Sequence, residues 1–191
     1  MKIKNGIFIA VVLLAAFCGC RNSQISSSKT AGPFPETMVG IWQAQVGYDD
    51  QNIYGIKFEP DGSISKIVHN VGGAINVSEG GCSGLGPDPD TYYMFVLGPA
   101  VAKYNPRKKE IAVEIHIDNY EMKLPQGILK GRIIDKFSGP ASQDGKTWTA
   151  EWRCYSWLEG ADEPDIKEID KNPEQLIFKK IVLNQPDSLK P

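Results

Sequence analysis

Three residues of the kinds that bind metal ions stand at alternate positions of one stretch: Glu114, His116 and Asp118. Two carboxylates and an imidazole would suit a zinc or similar transition-metal site. Side chains two residues apart on a strand lie about 7 Å apart, however, so one strand rarely supplies several ligands to one ion. His69 is the only other histidine of the chain. We therefore expect the three residues to lie on a solvated outer strand face and to bind no metal.

Motifs of known catalytic or cofactor sites are absent from the sequence, which has no nucleophile elbow, no phosphate-binding loop and no zinc-type ligand spacing. Two histidines in 191 residues leave little for acid–base chemistry. The acidic segment 159–174 lacks the ligand spacing of a calcium-binding EF-hand loop, and a solvated helix explains it better. We expect that the protein binds no cofactor and is not an enzyme. A catalytic pair of carboxylates from two distant strands is the alternative that the sequence leaves open.

The first 20 residues have the plan of an export signal. Lys2 and Lys4 precede an unbroken apolar run, IFIAVVLLAAF, at residues 7–17. A short basic region followed by about 7–15 apolar residues is typical of a secretory signal peptide, whereas a membrane-spanning helix needs roughly 17–25. The run ends in Phe17-Cys18-Gly19-Cys20, which resembles the lipobox of bacterial lipoprotein precursors.

The resemblance to lipoproteins implies cleavage before Cys20 and a diacylglyceryl thioether on its sulfur. Small Gly19 fits the position before the cut, whereas a cut before Cys18 would place bulky Phe17 there. With an acyl group on the amine as well, the lipid chains would hold the protein lastingly on a bilayer, because each buried methylene adds about 0.8 kcal/mol. Arg21 rather than Asp follows, which in the enteric sorting rule favours the outer over the inner membrane. The rest of the chain is then extracytoplasmic.

Composition limits what the mature chain can do. Without residues 1–19 it has 172 residues, enough for one domain, and the loss of the two N-terminal lysines changes its formal net charge from −2 to −4. A slightly acidic chain without a basic patch does not favour nucleic acid as a partner. Once Cys18 is removed and Cys20 is lipidated, Cys82 and Cys154 remain, and such a pair in an exported protein predicts a disulfide. Two buried free thiols are the alternative.

The mature chain divides into a lipidated Cys and flexible tether at 20–37, a single β domain at 38–184 and a tail at 185–191. Apolar and polar residues alternate most clearly at 110–118, which is typical of a strand with one buried and one solvated face. Similar runs separated by turns predict eight or nine strands, at 39–46, 53–58, 63–71, 92–97, 101–104, 110–118, 128–137, 148–157 and 176–183.

One stretch, 162–171, has the early acids, early proline and late lysines of a short helix. The glycine-rich segment 72–90 is predicted to be a long loop. Because helices between most strands are missing, a parallel α/β sheet is excluded. We predict an all-β fold, an antiparallel up-and-down barrel with one short helix before the last strand, and a β-sandwich is the alternative.

The tripeptide Gly40-Ile41-Trp42, at the start of the first strand, resembles the Gly-x-Trp motif of lipocalin-type barrels. The resemblance extends in outline to most of the β domain, including the late helix followed by one more strand. It implies that Trp42 plugs the closed end of the barrel and that an arginine caps this Trp, for which Arg132 and Arg153 are the candidates. The alternative is a Trp that packs in the core of a sandwich.

These features together predict a membrane-anchored, extracytoplasmic lipoprotein. Its β domain is expected to be a lipocalin-like module that holds a small apolar or aromatic ligand in a cavity. The alternative is an envelope lipoprotein with a filled interior that meets another protein through its outer faces. The interior of the fold separates these two hypotheses.

Overall fold

The structure is a computed structural model that describes residues 34–47, 53–69, 74–85 and 90–182. The predicted signal peptide, the anchor residue Cys20 and most of the tether lie outside the described residues, as does the segment 183–191. No helix in the described part of the chain is long and apolar enough to cross a membrane.

Within the described residues, ten antiparallel strands form one sheet that curves into a nearly closed barrel. Each strand pairs with the next one in sequence, except at the seam between the fourth and the fifth, and the first strand pairs with the last. This confirms the predicted up-and-down barrel, with ten strands instead of eight or nine. The strands are β1 (Gly40–Gln45), β2 (Ile53–Phe58), β3 (Ile64–Val68), β4 (Ala74–Asn76), β5 (Gly81–Leu85), β6 (Tyr92–Asn105), β7 (Glu110–Leu124), β8 (Gly127–Pro140), β9 (Thr147–Leu158) and β10 (Glu174–Ile181).

The inner and outer faces of the barrel follow from the alternation along each strand. In β7, Ile111, Val113, Ile115 and Ile117 are buried while the residues between them are exposed or half-buried. The strand runs past its predicted end at residue 118 because the pairing with β8 shifts between Ile117 and Tyr120, which returns Tyr120 to the inner face. A similar irregularity between Leu97 and Ala100 joins the two strands predicted at 92–97 and 101–104 into β6.

The glycine-rich segment is not the loop that its composition predicts. Its described part contains β4, a 3₁₀ turn at Val77–Glu79 and β5, and the two strands form the two sides of the barrel's seam. A side chain at Gly81 would place its Cβ 2.2 Å from the Phe95 carbonyl oxygen, so glycine permits the close approach of β5 to β6. The prediction was wrong because short, glycine-rich strands carry no hydrophobic alternation.

One end of the barrel is closed by short turns at 59–63, 106–109 and 141–146 and by the N-terminal 3₁₀ turn Glu36–Met38. Trp42 is fully buried beneath this turn, and its indole Nε1 donates to the Met38 carbonyl oxygen at 2.7 Å. Phe34 packs on Gly62, whose φ of +81° is the left-handed conformation that the Pro60-Asp61-Gly62 turn predicts. Trp42 is therefore part of the packing that closes this end of the barrel.

The predicted helix exists, but it is shorter than its sequence pattern. Helix α1 spans Ile166–Lys171, and the Asp165 carboxylate accepts from the Glu168 amide at 3.1 Å as its N-cap. The helix packs on the outer face of β9, where Asp170 accepts a short hydrogen bond from the Tyr155 hydroxyl. It thus precedes the last strand, β10, at the other end of the barrel from Trp42, which we call the open end.

Candidate functional site

Aromatic side chains fill the closed half of the barrel. Phe58 and Phe178 pack on Trp148 at centroid distances of 6.1 and 4.7 Å. Phe137 continues the column, at 5.6 Å from Phe178 and 4.8 Å from Tyr54 in the middle of the barrel. Offset and edge-to-face ring pairs of this kind stabilise a core beyond the area that they bury. This half of the interior is therefore a packed core.

A carboxylate lies above this column in the barrel interior. Asp135 is fully buried, and it accepts from the Trp152 indole at 2.8 Å and from the Tyr54 hydroxyl at 3.0 Å. Cys154 is its direct cross-strand partner on the same inner face. Burial of an ionised group costs several kcal/mol in lost hydration, which only well-formed hydrogen bonds can offset. Among the described interior residues, Asp135 is therefore the group whose burial depends most on its hydrogen bonds.

His69 lies against Asp135 and has an orphaned nitrogen. Its Nε2 is 3.6 Å from the Asp135 Oδ2, while its buried Nδ1 has no hydrogen-bond partner among the described residues. The imidazole contacts the rings of Tyr54, Phe95 and Tyr120 at centroid distances of 5.6, 5.8 and 6.4 Å. Buried polar atoms are nearly always hydrogen-bonded in folded proteins, so this nitrogen stands out.

The electrostatics of the centre disfavour nucleophilic chemistry. Burial and, next, the nearby Asp135 carboxylate raise the pKa of the Cys154 thiol to about 12. The same two causes hold the pKa of the Tyr54 hydroxyl well above its ordinary value. Since the thiolate is the reactive form of cysteine, a thiol with so high a pKa is inert near neutral pH. A Cys, a His and an Asp meet here, but without an activated nucleophile.

Inward-facing side chains at the open end are only partly buried. They are Cys82, Tyr93, Met122, Cys154 and Leu158, which we call the mouth residues. Each packs on the core from one of the strands β5, β6, β7 and β9, whose register places it on the inner face. Tyr93 stacks on Phe95 at 5.5 Å, and Phe95 stacks on Tyr120 at 5.2 Å, so aromatic rings lead from the mouth down to His69.

The mouth thus combines an apolar, solvent-accessible rim with a buried polar floor. Ligand sites in proteins are mostly apolar and carry a few fixed polar groups that orient the ligand, and barrel mouths are among their preferred places. Among the described residues, the mouth and its floor contain no group of three or more His, Cys, Asp or Glu side chains that could hold a metal ion.

The predicted disulfide is not formed, and both Cys82 and Cys154 are free thiols. They lie on β5 and β9, with three strands of the sheet between them. Neighbouring strands are about 4.8 Å apart, whereas the Cα atoms of a cystine lie within roughly 7 Å. The structure therefore shows the alternative, two free thiols, and both cysteines are mouth residues.

Neither arginine candidate caps Trp42. Arg132 lies over the Trp157 ring at 4.4 Å, and Arg153 bonds to Glu151 and to the Asp170 carbonyl, all on the outer surface. Lys180 takes the place instead, with its Nζ 5.7 Å from the centre of the Trp42 ring and 2.9 Å from the Thr37 carbonyl oxygen. No local sequence signal pointed to Lys180, because it is distant in the chain and meets β1 only through the pairing of β10.

The trio Glu114, His116 and Asp118 faces outward on β7, as predicted. The His116 Nε2 lies 2.6 Å from the Glu114 carboxylate, which Lys136 also approaches at 3.5 Å. The described residues contain no group of three or more acidic, His or Cys side chains arranged around a common ion position. In the acidic segment, Asp165 and Asp170 serve the helix cap and its docking on β9.

The sequence analysis does not identify Asp135, and it names His69 only as the other histidine that could bind a metal ion. Both carry a signal in the strand pattern, since each occupies an inward position next to apolar inward neighbours: Ile133 and Phe137 beside Asp135, and Ile67 beside His69. A charged or polar residue in the buried phase of a strand needs a partner. Their meeting across the barrel is a property of the fold.

Comparison of the chain with protein-family models, with curated proteins and with solved structures finds no match.

Proposed function

We propose that this protein is a lipid-anchored, extracytoplasmic lipoprotein whose barrel binds a small apolar or aromatic molecule at its open end. The observation that carries the binding role is the mouth, a partly exposed apolar rim above the buried Asp135 and His69. A core that served stability alone would not need this polar group, because replacement of a complete buried polar set by apolar side chains of similar volume is often neutral or stabilising.

The anchor rests on the lipobox resemblance of Phe17-Cys18-Gly19-Cys20, which lies outside the described residues. The described chain enters the barrel at its closed end, through Phe34 and the Glu36–Met38 turn. A tether of residues 21–33 then attaches to the end opposite the mouth. On this proposal the anchor holds the protein at a membrane and leaves the mouth accessible to a ligand from the surrounding compartment.

A fluorescence titration tests the binding role. The probe is N-phenyl-1-naphthylamine, a neutral aromatic amine, and the protein is the complete mature chain carrying Cys20→Ser, so that no lipid competes for the probe. We expect saturable binding that Leu158→Arg weakens by about tenfold or more, because a charged side chain at the rim resists burial under an apolar ligand.

The matched control is Ile128→Arg, which places the same charge on the outer face at a residue that is 50% exposed. This variant should bind the probe as the parent does. Equal binding by all three proteins would show that the probe sits elsewhere, and absence of binding to the parent would contradict the proposed role.

The second candidate function, an envelope protein that binds another protein, is favoured by the filled closed half of the barrel. An outer groove of about 430 Å³ between β6–β9 and α1 would be its contact surface, with Lys103, Lys136 and Tyr155 among its lining residues. Crosslinking in cells from a photoreactive residue at position 103 would favour this candidate if it captured one protein reproducibly. The same residue at position 128 is the control.

A further inference from the structure

We infer that the ligand of the mouth carries a hydrogen-bond donor, a hydroxyl or an N–H group, which binds the Nδ1 of His69. The inference rests on the proposed function and adds the chemical class of the ligand to it: a flat apolar molecule with one donor group. It starts from the one buried polar side-chain atom without a hydrogen bond that the described residues contain.

The neighbours of His69 determine which of its nitrogens carries the proton. Nε2 faces the Asp135 carboxylate at 3.6 Å, and a lone pair directed at a carboxylate would be repelled, so Nε2 carries the hydrogen. In the neutral ring with the hydrogen on Nε2, the other nitrogen, Nδ1, is an acceptor.

Among the described residues, the hydroxyl groups on the rings around His69 donate their protons elsewhere. The Tyr54 hydroxyl donates to Asp135, and the Tyr120 hydroxyl donates to the Met122 sulfur at 3.6 Å. The third ring around His69 is that of Phe95, which has no polar atom. In this proposal the donor for this nitrogen comes from a molecule that enters the barrel, since leaving a buried acceptor unpaired is costly.

The stacked rings of Tyr93, Phe95 and Tyr120 connect the mouth to His69. Tyr120 lies on the mouth side of His69, and its only described hydrogen bond is to a thioether, which is a weak acceptor. In this proposal its ring turns aside to admit the ligand. The ligand's own ring then stacks on Phe95 while its donor reaches Nδ1.

Two probes of nearly the same shape test the donor. 1-Naphthol and 1-methoxynaphthalene each compete with N-phenyl-1-naphthylamine on the Cys20→Ser mature chain. We expect 1-naphthol to compete about two- to tenfold better, the ratio that one neutral hydrogen bond gives. In His69→Phe the ratio should fall to one, whereas Tyr54→Phe, which leaves Nδ1 in place, should retain it.

Nitrogen-15 spectra of the histidine rings give a second measurement that needs no substitution in the barrel. We expect His69 to have its proton on Nε2, and the Nδ1 signal to shift on addition of 1-naphthol while both nitrogens of the outward His116 stay unchanged. Probes that bind with equal affinity and leave the His69 nitrogens unshifted would overturn the inference and leave the proposed function standing. Failure of every aromatic probe to bind would instead contradict the proposed function.

Discussion

Replacement of Asp135 by leucine should destabilise the fold strongly, although it exchanges a buried charge for an apolar side chain. The substitution leaves the Trp152 N–H and the Tyr54 O–H without an acceptor in the interior, where they now donate at 2.8 and 3.0 Å. An unsatisfied buried donor costs about 1–3 kcal/mol, so two of them cost about 2–6 kcal/mol. The release of a buried carboxylate offsets part of this loss.

The effect of Tyr54→Phe on the free energy of unfolding should change sign when Asp135 is replaced by leucine. Tyr54→Phe in the parent removes a hydrogen bond to a charged group and should lower the free energy of unfolding by about 1.5–3 kcal/mol. In the Asp135→Leu background the same substitution removes an orphaned hydroxyl and should raise that free energy. Tyr93→Phe, at the partly exposed mouth, is the control and should change stability by less than about 0.5 kcal/mol.

Urea unfolding followed by tryptophan fluorescence and circular dichroism gives the four free energies of this double-mutant cycle. If Tyr54→Phe costs the same amount in the parent and in the Asp135→Leu background, the two side chains are not coupled. In that case the buried polar centre around Asp135 does not exist in solution.

Three further predictions concern other parts of the molecule. Trp42→Ala should lower the free energy of urea unfolding by about 3–5 kcal/mol, as truncation of a fully buried Trp does, whereas Lys180→Met should lower it by only about 1 kcal/mol. Equal losses in the two variants would mean that Trp42 is not part of the core at the closed end. The raised pKa of the Cys154 thiol, about 12 against 9.0 for a free thiol, means that above pH 9 the unfolded chain has lost a proton that the folded chain keeps. The stability that this group contributes is therefore full below pH 9 and falls by about 1.4 kcal/mol per pH unit above it, and Cys154→Ser should delay the loss; unchanged pH dependence in the variant would contradict the assignment. Cells fed a radioactive fatty acid should label the parent and Cys18→Ser but not Cys20→Ser, and label on the last would show that the anchor is elsewhere.

Much of the barrel can be predicted from local sequence because its strands alternate and its turns carry specific residues. The Pro60-Asp61-Gly62 turn and the Asp144-Gly145 turn both place glycine at positive φ, at +81° and +64°. The Ser142 hydroxyl and the Asp144 carboxylate bind the amides of this second turn, as short polar side chains commonly do. Where such signals were missing, in the glycine-rich β4 and β5, the strands went unpredicted.

The site was less predictable because its parts are distant in sequence. Asp135 and His69 come from β8 and from the end of β3, and only the closing of the sheet brings them together. The disulfide prediction failed for a related reason, since the number of cysteines says nothing about which strands carry them. Trp42 has a hydrogen-bond partner close in sequence, the Met38 carbonyl oxygen, whereas its cationic neighbour, Lys180, depends on long-range pairing.

A methyl NMR titration of the Cys20→Ser mature chain with N-phenyl-1-naphthylamine would show where on the barrel the probe binds. If the open end is the binding site, the methyl signals of Met122 and Leu158, which face the interior at the mouth, should shift together and saturate. The outward methyl groups of Ile128 and Ile177, which are 50% and 54% exposed, should not move. Shifts confined to Ile128 and Ile177, or no saturable shift at Met122 and Leu158, would contradict the account.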